Sequence, residues 1–271
     1  MLTFVLPLLF KDIKLADSFL LPSLEKFVKC NCSVLIVCKD DELEELSCIA
    51  DKFCSLDIEM LSEDDVLDQT AMNIKNHWYK QQIIKLMIAS KVKTDWYCTL
   101  DADMFMFKPC SFVEENRAIL TEEPLDLHSD WWNASSKCLG IPLDCLQYGF
   151  GVTPAMINTK ICRQLISEYN IPQCFVGNGP VSEYTLYWLY LNKNYRVSDY
   201  YHTGAKSLYC TESLWGSKQI TEAMQLGGIR EYVNKYCTRD AEYSFFIFQS
   251  LLTAFSLQHR KHALQDIFRE S

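Results

Sequence analysis

The chain has 271 residues and a formal net charge of -9, with 49% hydrophobic and 23% charged residues. That composition describes a globular protein and excludes a disordered or fibrous one. The acidic balance, unrelieved by any Lys/Arg block, argues against a nucleic-acid binder. No apolar stretch reaches the ~18 residues that cross a bilayer.

The opening "MLTFVLPLLFKD" lacks a basic leader and a small-residue cleavage site. It reads as a buried strand, 3–8, not a targeting segment, so the expected location is the cytoplasm. An amphipathic helix follows from about Leu15 to Val28, then a second buried strand, "SVLIVCK" at 33–39, and a helix over 40–53. A short third strand lies near Ile58–Leu61. Residues 73–92 have helical spacing, with Ile83, Ile84, Leu86, Met87 and Ala89 inward. Next come the strand "WYCTL", an acidic pair (Asp101 and Asp103) and a second apolar run, "MFMF". Strands alternating with helices predict a doubly wound α/β sheet, whose ligands sit at the carboxyl ends of the strands. The acidic pair stands at that end of the fourth strand.

The second half is less regular. Residues 121–147 read as loop, including the aromatic stretch "HSDWWNASSK"; "YGFGVTPAMINTKICRQLISEY" reads as strand, turn and helix. An aromatic helix is expected over 182–193, a strand in "YRVSDYYHTG", a late strand at 243–252 and a basic helical tail from Thr253. With no repeat or Pro/Gly/Ser linker, one domain spans 1–271, in three parts: 1–110, 111–252 and the tail (253–271). The thirteen cysteines show no C-x-x-C pair and read as reduced thiols, and the sequon at Asn133 carries little meaning in the cytosol.

Three readings compete for Asp101 and Asp103. They hold a hard divalent cation, Mn²⁺ or Mg²⁺, that in turn holds a diphosphate. Alternatively Asp101 is a phosphatase nucleophile and Asp103 its general acid, although Phe105 lacks the hydroxyl expected two residues on. In the third reading the pair merely caps a turn.

The stretch "NHWYKQQIIKLMIASKVKTDWYCTLDADMFMFKP", with "YGFGVTP", "SEYTLYWLY" and "FQS", resembles the GT-A glycosyltransferases, in particular those with a DUF6492-type domain. More narrowly it resembles the small chlorovirus-type xylosyltransferases that build an N-glycan core. The resemblance covers most of 3–255. It implies a GT-A, Rossmann-like α/β sandwich with a central mixed sheet, a metal on Asp101 and Asp103, and a UDP-sugar donor, UDP-xylose being the narrower expectation. Residues 1–110 are then the nucleotide-sugar-binding half and 111–252 the acceptor-binding half; the acceptor is a glycan or glycoconjugate, and the expected transfer inverts configuration. A carbohydrate-binding protein that keeps the fold without catalysis is the other reading.

It also suggests donor contacts from Tyr79, Lys80, Gln82 and Lys85, a third metal ligand in His202 (near Gly204 and Lys206), and parts for Gln249 and Ser250. Pro7 and Asp40, at the ends of the first two strands, are expected near the uracil; Asp40 suits a helix N-cap equally well. Glu183 is the candidate base, with Asp130 its rival. Trp131 and Trp132 suit an acceptor platform or a packing patch. The glycines of "YGFGVTP" suit close approach of a ligand or a bulge.

Overall fold

A computed structural model describes residues 1–177, 179–204, 207–249 and 256–269. Lys206, Ser250 and Thr253, singled out above, lie outside the described residues.

The strands are β1 (Leu2–Pro7), β2 (Cys32–Cys38), β3 (Asp57–Ser62), β4 (Trp96–Thr99), β5 (Met104–Met106), β6 (Val113–Glu114), β7 (Arg117–Ile119), β8 (Glu122–Glu123), β9 (Gly149–Phe150), β10 (Ala155–Asn158), β11 (Tyr201–His202) and β12 (Phe245–Ile247). The central sheet runs β10-β4-β1-β2-β3. β1 to β4 are mutually parallel, with Thr3 opposite Tyr97 and Leu2 opposite Cys32, while β10 lies antiparallel on β4, Ala155 opposite Thr99. All six residues of β1 are buried, as a strand covered on both faces requires. Because the chain leaves β1 towards β2 and β3 and returns to β4 on the other side, the order reverses between β1 and β4. That reversal opens a crevice at their carboxyl ends.

The helices used below are α1 (Leu21–Phe27), α2 (Leu43–Lys52), α3 (His77–Met87), α4 (Ser129–Leu139), α5 (Thr159–Glu168), α6 (Ile171–Cys174), α7 (Glu183–Asn194), α8 (Ser217–Gln225), α9 (Ile229–Tyr236) and α10 (Leu257–Arg269). α3 starts at the Asn76 side chain, which accepts from Trp78 N and Tyr79 N, and it packs on β1. α7 is buried from Glu183 through Leu191 and packs against α3, α4, α5 and β9. Its Trp188 stacks on Phe150, centroids 5.1 Å apart and planes within 6°. A smaller cluster of Phe105, Phe246, Phe248, Tyr232 and Leu264 fills the space between β5, β12, α9 and α10.

Three expectations change here. Residues 129–139 are helical, not loop, and Trp132 is core while Trp131 stays partly exposed. The glycines at 149 and 151 admit protein, not ligand. A Cβ on Gly149 would lie 2.9 Å from the Trp132 ring, and one on Gly151 would lie 2.9 Å from the Thr121 carbonyl, which accepts from Gly151 N at 2.8 Å. Gly151→Ala is therefore expected to destabilise the protein by about 1–3 kcal/mol. Urea unfolding measures this, and an unchanged midpoint would mean that the two segments part without cost. Finally, the thiols are not all reduced: Cys138 and Cys174 form a disulfide joining α4 to α6. Among the described residues no helix is long and apolar enough to cross a membrane.

Candidate active site

Asp101 follows β4 directly, and Leu100 N still donates to Val5 O of β1. The topology thus sets this carboxylate at the β1/β4 reversal. Its side chain is 42% exposed. Opposite it, in the turn after β1, Asp12 is held above the usual carboxylate range. Burial is the main cause; Lys11 opposes it, and the negative charge of Asp101 adds to it.

The centre of the site is Lys85, whose side chain is only 6% exposed. Its ammonium lies 2.8 Å from Asp101 Oδ1 and 3.3 Å from Glu183 Oε1, and donates to Thr153 Oγ1 at 2.9 Å. Burial works against the lysine's charge. Asp101, the Tyr184 phenol and Glu183 together outweigh it and hold the ammonium well above its ordinary range. Beyond Thr153, Tyr184 OH sits 2.6 Å from Thr153 Oγ1 and 2.8 Å from Thr99 Oγ1, and Thr99 donates onward to Ala155 O. Each hydroxyl has one proton, so the donors run one way: Lys85 to Thr153 to Tyr184 to Thr99. The chain of bonds ties β4, Thr153 and the start of β10 to α3 and α7 around one fixed positive charge.

Glu183 is buried, and its two oxygens are both engaged, Oε1 by Lys85 and Oε2 by the Ser182 hydroxyl at 3.2 Å. Burial raises its pKa above the usual range, with Lys85 opposing that shift. As placed, it braces Lys85, and its side chain has little access to solvent. Asp130 is exposed in the first turn of α4, so of the two candidate bases it is the one with access to solvent.

Asp103 is buried, and its charge acts on Arg260, which α10 brings in from the tail; Arg260 also donates to Phe248 O, while Phe248 N donates to Asp103 O. His202, in β11, pairs with Glu114 O at 2.8 Å. Among the described residues, no group of three or more His, Cys, Asp or Glu side chains converges as a metal cluster, so Asp101, Asp103 and His202 do not form a ready three-ligand set.

The remaining expected residues scatter. Lys80 is not freely solvated, because Glu63 Oε2 takes it at 3.2 Å in a largely buried ion pair. Tyr79 packs on Phe175, centroids 5.5 Å apart. Gln82 is buried: its Oε1 accepts from Glu183 N at 3.3 Å, and its Nε2 has no partner. Pro7 ends β1, buried opposite Val37. Asp40 is exposed in the first turn of a 3₁₀ segment whose N-cap is Lys39, so it does not cap. The rim there is closed by Glu42, which accepts from Phe10 N at 3.0 Å and pairs with Lys39 at 3.2 Å. Gln249 donates its backbone N–H to Leu214 O.

In the sequence Lys85 stands out only as a suggested donor contact, and Thr153, Tyr184, Glu42 and Arg260 do not stand out at all. For Lys85 a signal existed: it lies between Ile84 and Leu86 on the inward face, where a lysine demands an anion.

The model of the DUF6492 family, described as a family of unknown function, matches residues 1–271. No curated protein matches the sequence. Among solved structures, mouse xyloside xylosyltransferase 1 in its apo form superposes with a TM-score of 0.51 at 10% identity, over 92% of this chain and 97% of that one. The glycosyltransferase GlyE of Streptococcus pneumoniae TIGR4 superposes in its apo form with a TM-score of 0.52 at 12% identity, over 99% of this chain and 60% of that one. A second GlyE structure gives 0.51 at 12% identity, over the same shares of each chain. The fold, a mixed α/β sandwich around a central mixed sheet, is thus the GT-A-like fold of these glycosyltransferases.

Proposed function

Since the chain belongs to the DUF6492 family, whose function is unknown, we propose on the strength of its site that it is a glycosyltransferase. It moves a sugar from a UDP-sugar, UDP-xylose being the first candidate, to a hydroxyl of a glycan or glycoconjugate. One observation carries the reading: a half-exposed carboxylate, Asp101, stands at the strand-order reversal and is held there by a buried lysine. Ligands of open α/β sheets bind in that crevice. The likeness in fold to a xylosyltransferase and to GlyE supports the same class of chemistry.

The donor set fits Mn²⁺ or Mg²⁺. Asp101 and Asp103 offer hard carboxylate oxygens, and a cation of this kind is commonly held by one or two carboxylates, with water and substrate phosphates completing its shell. When bound, the metal supplies charge neutralisation for a leaving diphosphate. His202, engaged at Glu114, is not needed for such a shell.

The residues of the chain do the rest. Lys85 fixes the Asp101 carboxylate, and Glu183 with Ser182 fixes Lys85. Asp12 and Asp101 border the crevice, and Glu42 joins the loops after β1 and β2 into its wall. The site is therefore assembled before substrate arrives, which spares reorganisation during transfer. A phosphatase with Asp101 as nucleophile has no comparable support, since the fold matches are glycosyltransferases. The direct test is UDP release from UDP-xylose, UDP-glucose, UDP-galactose and UDP-N-acetylglucosamine, with Mn²⁺ and then with excess chelator. Metal-dependent release from at least one donor is expected; release from none, with the protein folded, would contradict the reading.

A further inference from the structure

The N-terminal end of α3 carries a feature that the charged cluster does not use. Trp78 is 45% exposed, unusual for so large an apolar side chain. Its ring lies 5.9 Å from that of Trp131 on α4, tilted by 49°, and 5.3 Å from that of Tyr79. Trp131 in turn stacks on His128, centroids 4.0 Å apart and planes within 7°. Leu127 and Val176 are exposed as well.

This strip stands on braced elements. The Cys138–Cys174 bridge joins α4 to α6, and the Ser135 and Thr185 hydroxyls join α4 to α7. It also leads towards the catalytic crevice, because Trp78, Gln82 and Lys85 fall at i, i+4 and i+7, one face of α3. Gln82 supplies an independent sign of a ligand. Its amide orientation is fixed, since Oε1 must accept from Glu183 N, and this leaves a buried Nε2 donor unpaired one turn beyond Trp78. An unmade bond of that kind costs about 1–3 kcal/mol, which a ligand hydroxyl would recover.

We propose that Trp78 and Trp131 hold a ring of a neutral carbohydrate acceptor, with Gln82 Nε2 donating to one of its hydroxyl oxygens. The proposal rests on the glycosyltransferase reading and names where that enzyme's acceptor sits. Indole faces receive the C–H faces of a pyranose, while exposed Asp126, Asp130 and Asn133 beside them suit its hydroxyls. A bilayer surface would call for a basic cluster, whereas the exposed charges here are mixed, Asp126 and Asp130 with Lys75. A stable protein interface needs about 800 Å² per partner, more than two indoles and two aliphatic side chains supply.

Tryptophan fluorescence, titrated with xylobiose, cellobiose and maltose without donor, tests it. At least one sugar is expected to give a saturable change with the wild type, weakened about tenfold or more in Trp78→Ala and in Trp131→Ala. Trp78→Phe, which keeps an aromatic face, should fall between, and the thermal shift produced by UDP with Mn²⁺ should persist in all three. No saturable response in the wild type, equal affinity in the variants, or a dimer that Trp78→Ala dissolves would each overturn the proposal. If sugars bind through Trp78 and Trp131 but UDP gives no shift, the donor reading fails and the sugar platform stands.

Discussion

Replacing Lys85 by methionine is expected to lower the free energy of unfolding by about 3–5 kcal/mol, the usual cost of breaking a buried charge pair from one side. Methionine keeps most of the volume but leaves Glu183 buried with no cation, and Thr153 with no donor above it. Asp101, half exposed, can regain water; Glu183 cannot. The loss should therefore reside mainly in Glu183, and the double variant Lys85→Met/Glu183→Gln should recover most of it, because the stranded charge is gone. Urea unfolding of the two singles and the double gives the coupling directly. A double variant as unstable as the sum of the singles would show that Lys85 and Glu183 do not act as a pair.

Asp101→Asn should lower turnover by about 100-fold or more. Loss of a carboxylate that would hold the metal neutralising a leaving diphosphate removes several kcal/mol from the transition state, and each ~1.4 kcal/mol is a factor of ten in rate. Asparagine preserves shape and can still accept a hydrogen bond from Lys85, so a modest fall in stability should accompany a large fall in rate. UDP release from the preferred donor, measured beside the unfolding midpoint, separates the two. Near-normal turnover would remove Asp101 from the chemistry.

Much of the scaffold was legible because it obeys simple periodicities. β1 and β2 are continuous apolar runs, α3 keeps helical spacing, and the acidic pair after β4 stands out because carboxylates between apolar segments need a partner. What remained hidden has physical reasons. α4 looked like loop because its inward face includes the small residues Ala134 and Ser135 beside Trp132 and Leu139. The stretch 243–252 looked like a long strand, yet among its described residues only Phe245–Ile247 is strand, paired with β5. α8 and α9 went unseen, since their buried residues are few: Ala223 on one, Ile229, Tyr232 and Val233 on the other. The tail read as a basic helix with no assigned contact, yet Arg260 is buried near Asp103. The Cys138–Cys174 bridge spans 36 residues, and sequence alone does not choose a pairing among so many cysteines.

In the site, the acidic pair was visible and its counter-charge was not recognised as such. A helix lysine reads by default as surface, and only the packing of α3 against α7 shows that Lys85 has no route to water. Glu183 was visible as an acidic first-turn residue, where a carboxylate suits the helix dipole. The structure buries it against Lys85 and Ser182, a placement that its first-turn position did not reveal.

The central claim is that the crevice at the β1/β4 reversal binds a nucleotide diphosphate through a metal held by the acidic pair. Thermal unfolding with UDP, with and without Mn²⁺, on the wild type and on Asp103→Ala, tests it most directly, because a ligand of the native state raises the midpoint with its occupancy. The account predicts a rise that needs both UDP and Mn²⁺ and disappears in Asp103→Ala. A midpoint indifferent to UDP and metal together in the wild type would contradict it.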